Sequence, residues 1–265
     1  ANSCISNRSW SSFFSAIAAS VDLVRRGCLL KADPPETSLG CGTVGAAGAV
    51  YDANCQRCPR LAGFLKEVKA KHPSYFCKPV PPFGDDCAEL LVLGLAPGMH
   101  GANATGRPFT GDACSDLLYG TLHRHGFGSK ARSVSSEDGL VMHNCRITNA
   151  VKCLPPQNKP SPAEVRHCLA YLSQELLQLR PKVVLCLGAI AHDAALRALP
   201  LAQLGLRPVL FKFAHAACHQ VGDVWLVDSY HPSRYNLNTG RITEAMFSQA
   251  VGLAKGLLNQ QREEA

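Results

Sequence analysis

Short hydrophobic runs alternate along this chain with longer segments whose apolar residues recur at helical spacing. The four apolar runs have the length of buried β-strands and cover residues 89–95, 145–151, 183–187 and 224–229. Helical spacing follows at residues 114–125, 162–179, 189–199 and from Thr243 onward. Strands that alternate with helices pair in parallel and are covered on both faces. The sequence therefore predicts a three-layer α/β/α fold around a mostly parallel, four-stranded sheet.

The helix that begins after residue 160 has a clear start signal. Ser161 is a strong N-cap residue, Pro162 fits the first helical position, and Glu164 completes a capping box. The residues predicted to form its core-facing side are Val165, Cys168, Leu169, Leu172, Leu176 and Leu179. We therefore expect this helix to pack against the sheet.

The first 50 residues differ in composition from the rest and are predicted to form an N-terminal extension. They are rich in Ala, Ser, Gly and Cys and poor in acidic residues. An amphipathic helix is predicted at residues 10–24, followed by a linker rich in Pro and Gly at 34–48. Such a composition is typical of an organellar transit peptide and equally of an Ala-rich bacterial extension. Residues 51–265 are predicted to form the folded domain.

Charge and cysteine content narrow the class of protein. A formal net charge of +7 favours a polyanionic partner such as nucleic acid. No apolar run approaches the roughly 20 residues of a membrane span, so we expect no membrane contact. The chain has 13 cysteines, some of them inside apolar patterns, and no secretory signal. This combination indicates a reducing compartment and a metal site rather than a set of disulfides.

Four cysteines are candidate metal ligands: Cys55, Cys58, Cys153 and Cys168. The first two form a Cys-x-x-Cys turn followed by proline, and the third begins the loop that enters the helix carrying the fourth. Four thiolates brought together in this way can bind an iron–sulfur cluster or a tetrahedral zinc ion, and the adjacent prolines favour a cluster. Cys77 and Cys87 are alternative ligands because they lie close to the Cys-x-x-Cys turn in sequence.

Two loops carry the remaining candidate chemistry. A glycine-rich loop at residues 94–112 follows the first strand, and a loop at 231–241 follows the last one. Open α/β sheets bind their ligands at the carboxyl ends of their strands. The glycine loop matches neither the Walker pattern nor the dinucleotide fingerprint, so a nucleotide cofactor is not expected. The second loop places His231 beside aromatic and basic residues, which suits a partner with phosphates outside and bases inside.

Together these segments resemble the uracil-DNA glycosylase superfamily, and most closely its family 5 (UDGb-type) branch. The likeness runs from about Cys55 to the C-terminus. The segments that carry it are 94–97 with 105–112, 149–153 with 155–156 and 158–160, and 231–233 with 238–241. The resemblance implies a DNA-repair enzyme that extrudes uracil and hydrolyses its N-glycosidic bond. It also implies that the four candidate cysteines hold a [4Fe–4S] cluster.

The resemblance implies a base pocket formed by the two loops and a strand end. Phe109 is expected to stack on the extruded base, and the Asn149 amide to recognise the pyrimidine edge, to which it can both donate and accept. Gly94 and Ala96 are expected to line the pocket. Ala96 stands where other branches carry a carboxylate or amide for the attacking water, which excludes general-base catalysis from this position. We therefore expect a dissociative reaction in which His231 donates a hydrogen bond to the leaving uracil.

Two features of the predicted reaction stay open. Asp112 has two candidate roles, orienting a water molecule and capping the helix that follows it. A reaction that rests on a leaving anion also predicts release of other deaminated bases, such as hypoxanthine and xanthine.

The expected DNA contacts lie outside the pocket, at Asn158, Lys159, Arg234, Tyr235, Leu237 and Arg241. Leu237 is the only large aliphatic residue between His231 and Arg241, and its polar neighbours predict an exposed wedge that fills the vacated base stack. We expect a monomer that acts on double- and single-stranded DNA with deaminated bases. Two other classes remain: a non-catalytic DNA-binding module of the same fold, and an electron-transfer enzyme, although no flavin or nicotinamide fingerprint is present.

Overall fold

The computed structural model of the protein describes residues 49–263. The helix predicted at 10–24 and the linker predicted at 34–48 lie outside the described residues. Within residues 49–263, no helix combines the length and the hydropathy that a membrane span requires.

The core of the molecule is a mixed six-stranded sheet. Its strands are β1 (Phe83–Gly84), β2 (Leu90–Gly94), β3 (Cys145–Asn149), β4 (Val183–Leu187), β5 (Cys218–Val221) and β6 (Val224–Ser229). They are arranged in the order β1-β3-β2-β4-β6-β5. The four inner strands are the four predicted ones, and all three pairings among them are parallel. The structure adds two short antiparallel edge strands that the sequence analysis did not identify, because two to four residues give little alternation to detect.

Helices cover both faces of this sheet. They are α1 (Pro59–Lys71), α2 (Ala102–Thr105), α3 (Ala113–Arg124), α4 (Pro162–Leu179), α5 (Ala189–Ala198), α6 (Arg234–Asn238) and α7 (Glu244–Glu263). Alternate residues of β2 point to opposite faces, so Leu90 packs with residues of α3 and α7, and Leu91 packs with residues of α4 and α5. The predicted three-layer α/β/α architecture is confirmed.

The predicted start of α4 is also confirmed. The Glu164 backbone N–H donates to Ser161 Oγ at 3.3 Å, and the Ser161 backbone N–H donates to Glu164 Oε2 at 2.7 Å, which closes the capping box. Glu164 also pairs with Arg60 of α1, so the start of α4 is tied to α1. This contact brings the Cys-x-x-Cys turn, which precedes α1, towards α4.

The parallel strands place the predicted functional segments along one edge of the sheet. β2 ends at Gly94, β3 at Asn149 and β6 at Ser229, and the three strands run in the same direction. The glycine loop, the segment after β3 and the loop containing His231 therefore all leave the sheet at its carboxyl edge. This is the edge at which open α/β sheets bind ligands.

Candidate active site

Three residues from different segments meet at the end of β2. Gly94 lies so close to Asn149 and Phe109 that a Cβ atom at residue 94 would stand 2.5 Å from Asn149 Oδ1 and 2.5 Å from Phe109 Cζ. No real Cβ contact is that short, so only glycine leaves both side chains where they are. Phe109 and Asn149 are both buried. The structure thus brings together three of the residues predicted to bind the base.

The side-chain oxygen of Asn149 is unusual for a buried group. Asn149 Oδ1 is among the few buried side-chain atoms in residues 49–263 without a hydrogen-bond partner. A buried polar atom that stays unpaired costs about 1–3 kcal/mol, so Asn149 Oδ1 gains from a hydrogen-bond donor on a ligand. Asn149 Oδ1 and Phe109 Cζ each lie 2.5 Å from the position that a Cβ of residue 94 would take, so the two atoms are near one another. A flat ligand stacked on the Phe109 ring would be within reach of the amide.

His231 completes the same pocket from the end of β6. Its ring lies 5.9 Å from the Phe109 ring, centroid to centroid, with the two planes inclined by 30°. Burial lowers the pKa of His231 to about 4, because the imidazolium form is poorly solvated there. The ring is therefore neutral at physiological pH. A neutral imidazole still carries one N–H donor, as the predicted role requires.

Short-range hydrogen bonds hold the backbone of His231. Its carbonyl oxygen accepts from the Ser233 backbone N–H at 2.8 Å and from Asn236 Nδ2 at 2.8 Å. Ser233 also caps the short helix α6, which was predicted as loop. The loop after β6 is therefore an ordered cap and turn that presents the imidazole towards Phe109.

The predicted exposure of Leu237 is wrong. Leu237 is partly buried and packs against the hydrophobic core formed with α3 and α7. The turn of α6 directs it inward, which its polar sequence neighbours do not indicate. Tyr235, on the same short helix, has 72% of its surface exposed. The large exposed hydrophobic side chain of this helix is therefore Tyr235.

The glycine loop positions Ala96 and Asp112 differently. Ala96 is partly buried against the apolar cluster between α1 and the cysteines. Asp112 Oδ1 accepts from the Cys114 backbone N–H at 3.0 Å, so Asp112 caps α3 as one of its two predicted roles requires. Its other oxygen faces Gly98 and Gly101 of the loop. Burial raises the pKa of Asp112 above its ordinary value, although hydrogen bonds from Cys114 and Ser115 oppose the shift.

The residues predicted to hold phosphates are exposed, and these are Asn158, Lys159 and Arg241. Arg234, which was predicted to enter or border the groove, is exposed as well. The Arg241 guanidinium lies 4.8 Å from the centre of the Tyr230 ring, next to His231 in sequence. All four side chains are therefore accessible from solvent.

The four predicted cysteine ligands converge on one small cavity. Cys55, Cys58, Cys153 and Cys168 line it together with Arg57, His167 and Tyr171. Burial, followed by the charge of the neighbouring thiols, raises the pKa of Cys58 to about 11 and that of Cys153 to about 12. Without a bound cation, these thiols therefore keep their protons at neutral pH.

The alternative ligands lie elsewhere. Cys77 Sγ accepts a hydrogen bond from Asn103 Nδ2 at 3.5 Å, which links it to the helical turn α2. Cys87 is exposed. Neither lines the cavity of the four predicted cysteines. The geometry therefore favours the original set.

A second group of potential metal ligands lies on the α5 side of the sheet. His192, His219 and Asp228 bring three ligand atoms within 4.8 Å of one another. The His192 nitrogens lie 2.8 Å from Asp228 Oδ1 and 3.0 Å from the Phe211 carbonyl oxygen, and both partners are acceptors. Burial alone would lower the pKa of His192, but hydrogen bonding and attraction to Asp228 raise it. The group is best described as a buried ion pair, and sequence analysis missed it because its members come from three elements.

A family profile and the similar proteins both indicate the same protein family. The profile of the uracil DNA glycosylase superfamily matches residues 81–255. A type-5 uracil-DNA glycosylase of Thermus thermophilus is 43% identical over 210 residues, which are 77% of this chain and 93% of that protein. Those of Pyrobaculum aerophilum and Mycobacterium bovis are 43% and 40% identical, covering 75% and 80% of this chain and 86% and 83% of theirs. This chain belongs to the uracil DNA glycosylase superfamily.

Proposed function

We propose that this protein releases uracil from DNA by hydrolysing the N-glycosidic bond and leaving an abasic site. The observation that carries the proposal is the unpaired, buried Asn149 Oδ1 beside the Phe109 ring. Uracil matches these two groups, since it has a flat ring that can stack on Phe109 and an edge with both a donor and an acceptor for the Asn149 amide. The similar proteins of Thermus thermophilus and Pyrobaculum aerophilum are named uracil-DNA glycosylases, which supports the same activity.

Recognition follows from these two side chains. An extruded uracil stacks on Phe109, and its N3–H donates to Asn149 Oδ1 while its O4 accepts from Asn149 Nδ2. Gly94 leaves room for this arrangement because it carries no side chain. Cytosine presents an acceptor at N3 and a donor at C4, so the amide in this orientation discriminates against it.

Bond cleavage in this pocket is dissociative. Ala96 has no group that could activate water, and Asp112 uses one of its oxygens to cap α3. The C1′–N1 bond therefore breaks first, and its electron pair leaves with uracil, with charge developing on O2. The neutral His231 donates its N–H to this charge, as a donor in an oxyanion hole does. Water then adds to C1′ and releases a proton. Hypoxanthine and xanthine, which also leave as anions, are proposed as further substrates.

DNA binding and base extrusion involve the rim of the pocket. Taking a base out of the helix costs a few kcal/mol, and inserted side chains can offset part of that cost. Tyr235 replaces Leu237 as our proposed wedge because it is the exposed one of the two. Arg234 and Tyr235 border the groove, while Asn158, Lys159 and Arg241 hold phosphates. The substrate is double- or single-stranded DNA that contains a deaminated base, and the protein acts as a monomer.

The four cysteines fit an iron–sulfur cluster. The donor set is four thiols around one cavity, and the raised pKa values of Cys58 and Cys153 are those expected of buried thiols that lack a cation. Within residues 49–263, no three of the four cysteine sulfurs lie mutually within 4.8 Å, whereas any two ligands about 2.3 Å from one zinc ion are closer together than that. A [4Fe–4S] cluster, when bound, supplies a covalent cross-link between the start of α1, the segment after β3, and α4.

The decisive experiment measures release of free base from labelled duplexes containing uracil, hypoxanthine or xanthine, and from a single strand containing uracil. Wild-type protein is expected to release uracil and to leave an alkali-labile abasic site. Asn149→Ala is expected to lose about 10²-fold in kcat/KM for uracil, while Asn259→Ala, an exposed position on α7, is expected to match wild type. DNA binding without release of any base would refute catalysis and favour the non-catalytic DNA-binding module.

A further inference from the structure

A lysine is buried in the segment that connects the base pocket to the cysteine site. Lys152 is 2% exposed, which is rare for this residue type unless its charge is paired. Its Nζ lies 3.0 Å from Glu175 Oε2 on α4, and it also donates to Thr148 Oγ1. Glu175, 1% exposed, accepts from Thr148 Oγ1 at 2.9 Å and from Arg146 Nε at 3.0 Å. The carboxylate is therefore surrounded by donors.

The contact between Lys152 and Thr148 spans Asn149. Thr148 immediately precedes Asn149 on β3, and the lysine side chain reaches back four residues to it. The main chain after Asn149 is held by two further bonds, in which the backbone N–H groups of Ala150 and Val151 donate to the glycine loop at 2.9 Å. Asn149 thus lies within a short loop of main chain, from Thr148 to Lys152, whose two ends are joined by the Lys152–Thr148 hydrogen bond.

Packing alone does not account for a charged pair at this place. A buried ion pair can often be replaced by apolar side chains of similar volume at no net cost in stability. What the pair provides instead is directionality, because its hydrogen bonds allow one arrangement of Thr148 and Lys152. The unpaired Asn149 amide has no hydrogen bond of its own at Oδ1 to fix it. Its orientation therefore depends on the backbone that carries it and on the side chains packed beside it, and not on a hydrogen bond at this oxygen.

We propose that Lys152, with Glu175 as its counter-ion, is a positioning residue that holds the Asn149 amide in the orientation needed to recognise uracil. This proposal rests on the proposed function, since it assigns Asn149 to base recognition. The competing interpretation is that the pair only joins β3 to α4. In a variant that still folds, loss of the lysine contact weakens uracil binding under the first interpretation and leaves it unchanged under the second.

The test uses Lys152→Met and the milder Thr148→Val, which keeps the Lys152–Glu175 pair but removes the hydroxyl beside Asn149. The matched control is Lys182→Met, because Lys182 forms an ion pair with Glu89 at 2.7 Å outside the pocket. Inhibition of the reaction by free uracil reports base recognition without the cost of extrusion. We expect the inhibition constant to rise about tenfold in Lys152→Met and about threefold in Thr148→Val. Thr148→Ser should restore it, and Lys182→Met should leave it unchanged.

A second readout does not depend on catalysis. The side-chain amide signals of Asn149 in ¹⁵N–¹H spectra are expected to shift or broaden in Thr148→Val and to stay unchanged in Lys182→Met. Iron content is measured in each variant, so that a loss of metal is not mistaken for a loss of positioning. If Lys152→Met does not fold, Thr148→Val decides the question. An unchanged inhibition constant together with unchanged Asn149 signals in Thr148→Val would overturn the proposal. Absence of uracil release by wild-type protein would refute the proposed function instead, with the amide signals still testing the positioning.

Discussion

The base pocket and the cysteine site lie at opposite ends of one short segment, yet they are built on different principles. Asn149 ends β3 and faces the pocket, and Cys153, four residues later, lines the cysteine cavity. The pocket consists of groups that are neutral at physiological pH and pack closely against Gly94, whereas the cysteine site consists of thiols that face one another. Under the proposed function, the first holds a substrate that comes and goes, and the second holds a cluster that stays bound.

Substitutions in the two sites are therefore expected to have different consequences for activity and for folding. A change in the pocket removes contacts that only the substrate uses, so it should lower activity and leave folding intact. A change in the cysteine site removes a ligand of the proposed cluster, and the free energy of metal binding is part of the free energy of folding, so such a change should lower stability as well.

The largest effect is expected at the cysteine site. Wild-type protein should be brown, with broad visible absorbance and about four irons per chain. Cys58→Ser should bleach it and lower its free energy of unfolding by several kcal/mol, measured by iron analysis and urea titration. Cys218→Ser, at an exposed thiol on β5, is the control and should change neither. A colourless wild-type protein with one zinc ion would contradict the cluster but retain the four-thiolate site.

The next largest effect is expected at His231. Removing one donor from an oxyanion hole typically costs about 10²–10³ in rate, so His231→Ala should lower kcat for uracil by that factor. Asp112→Asn should cost less than about tenfold, since an amide oxygen can still cap α3. Single-turnover rates at saturating enzyme measure both. A large loss for Asp112→Asn with little loss for His231→Ala would restore a mechanism with base-activated water.

Gly94→Ala should damage the pocket while sparing the cysteine site. The new methyl group would displace Asn149 and Phe109 by a large fraction of an ångström, and misplacement by about 1 Å can cost about 10² in rate. Both displaced atoms are side-chain ends, so the fold should survive. Thermal unfolding and visible absorbance should therefore match wild type. Bleaching of this variant would show that the two sites are not separable.

A smaller effect is expected from the proposed wedge. Tyr235→Ala should lower release from a fully paired duplex by about tenfold and release from a single strand much less, since extrusion is cheaper there. Leu237→Ala should instead lower the free energy of unfolding, by about 2 kcal/mol for a partly buried leucine. Rates on U·A, U·G and single-stranded substrates separate the two. An equal loss on all three substrates for Tyr235→Ala would exclude a wedge.

A last effect, on stability alone, is expected from pH. Since the pKa of His231 is about 4 in the folded protein and near 6.5 in the unfolded chain, the unfolded chain binds more protons between these values. Stability due to neutral His231 is therefore fully present above about pH 6.5 and declines as pH falls towards 4. Urea titrations of wild type and His231→Gln at pH 5 to 7.5 measure it as a steeper decline in wild type. If the free energies of unfolding of the two proteins changed with pH in parallel, the His231 side chain would be solvated and not buried.

Several elements of the fold were predictable because their signals are local. The four inner strands, the capping box at Ser161 and the helices α3, α4, α5 and α7 follow from apolar periodicity and capping residues. Helix α1 was not predicted, although Pro59 and the apolar residues at 61, 65 and 68 carry a signal for it. Family membership was predictable for the same reason, since its segments are continuous in sequence.

What the sequence by itself determined are the residue types and spacings: the four cysteines, the glycine loop and the histidine after the last strand. Only the tertiary structure decided which of these groups meet, and with what surroundings. It buried Leu237 and exposed Tyr235, paired Lys152 with Glu175 across 23 residues, and left Asn149 Oδ1 without a partner. The physical reason is that burial and hydrogen bonding depend on what packs against a residue, and those neighbours come from distant parts of the chain.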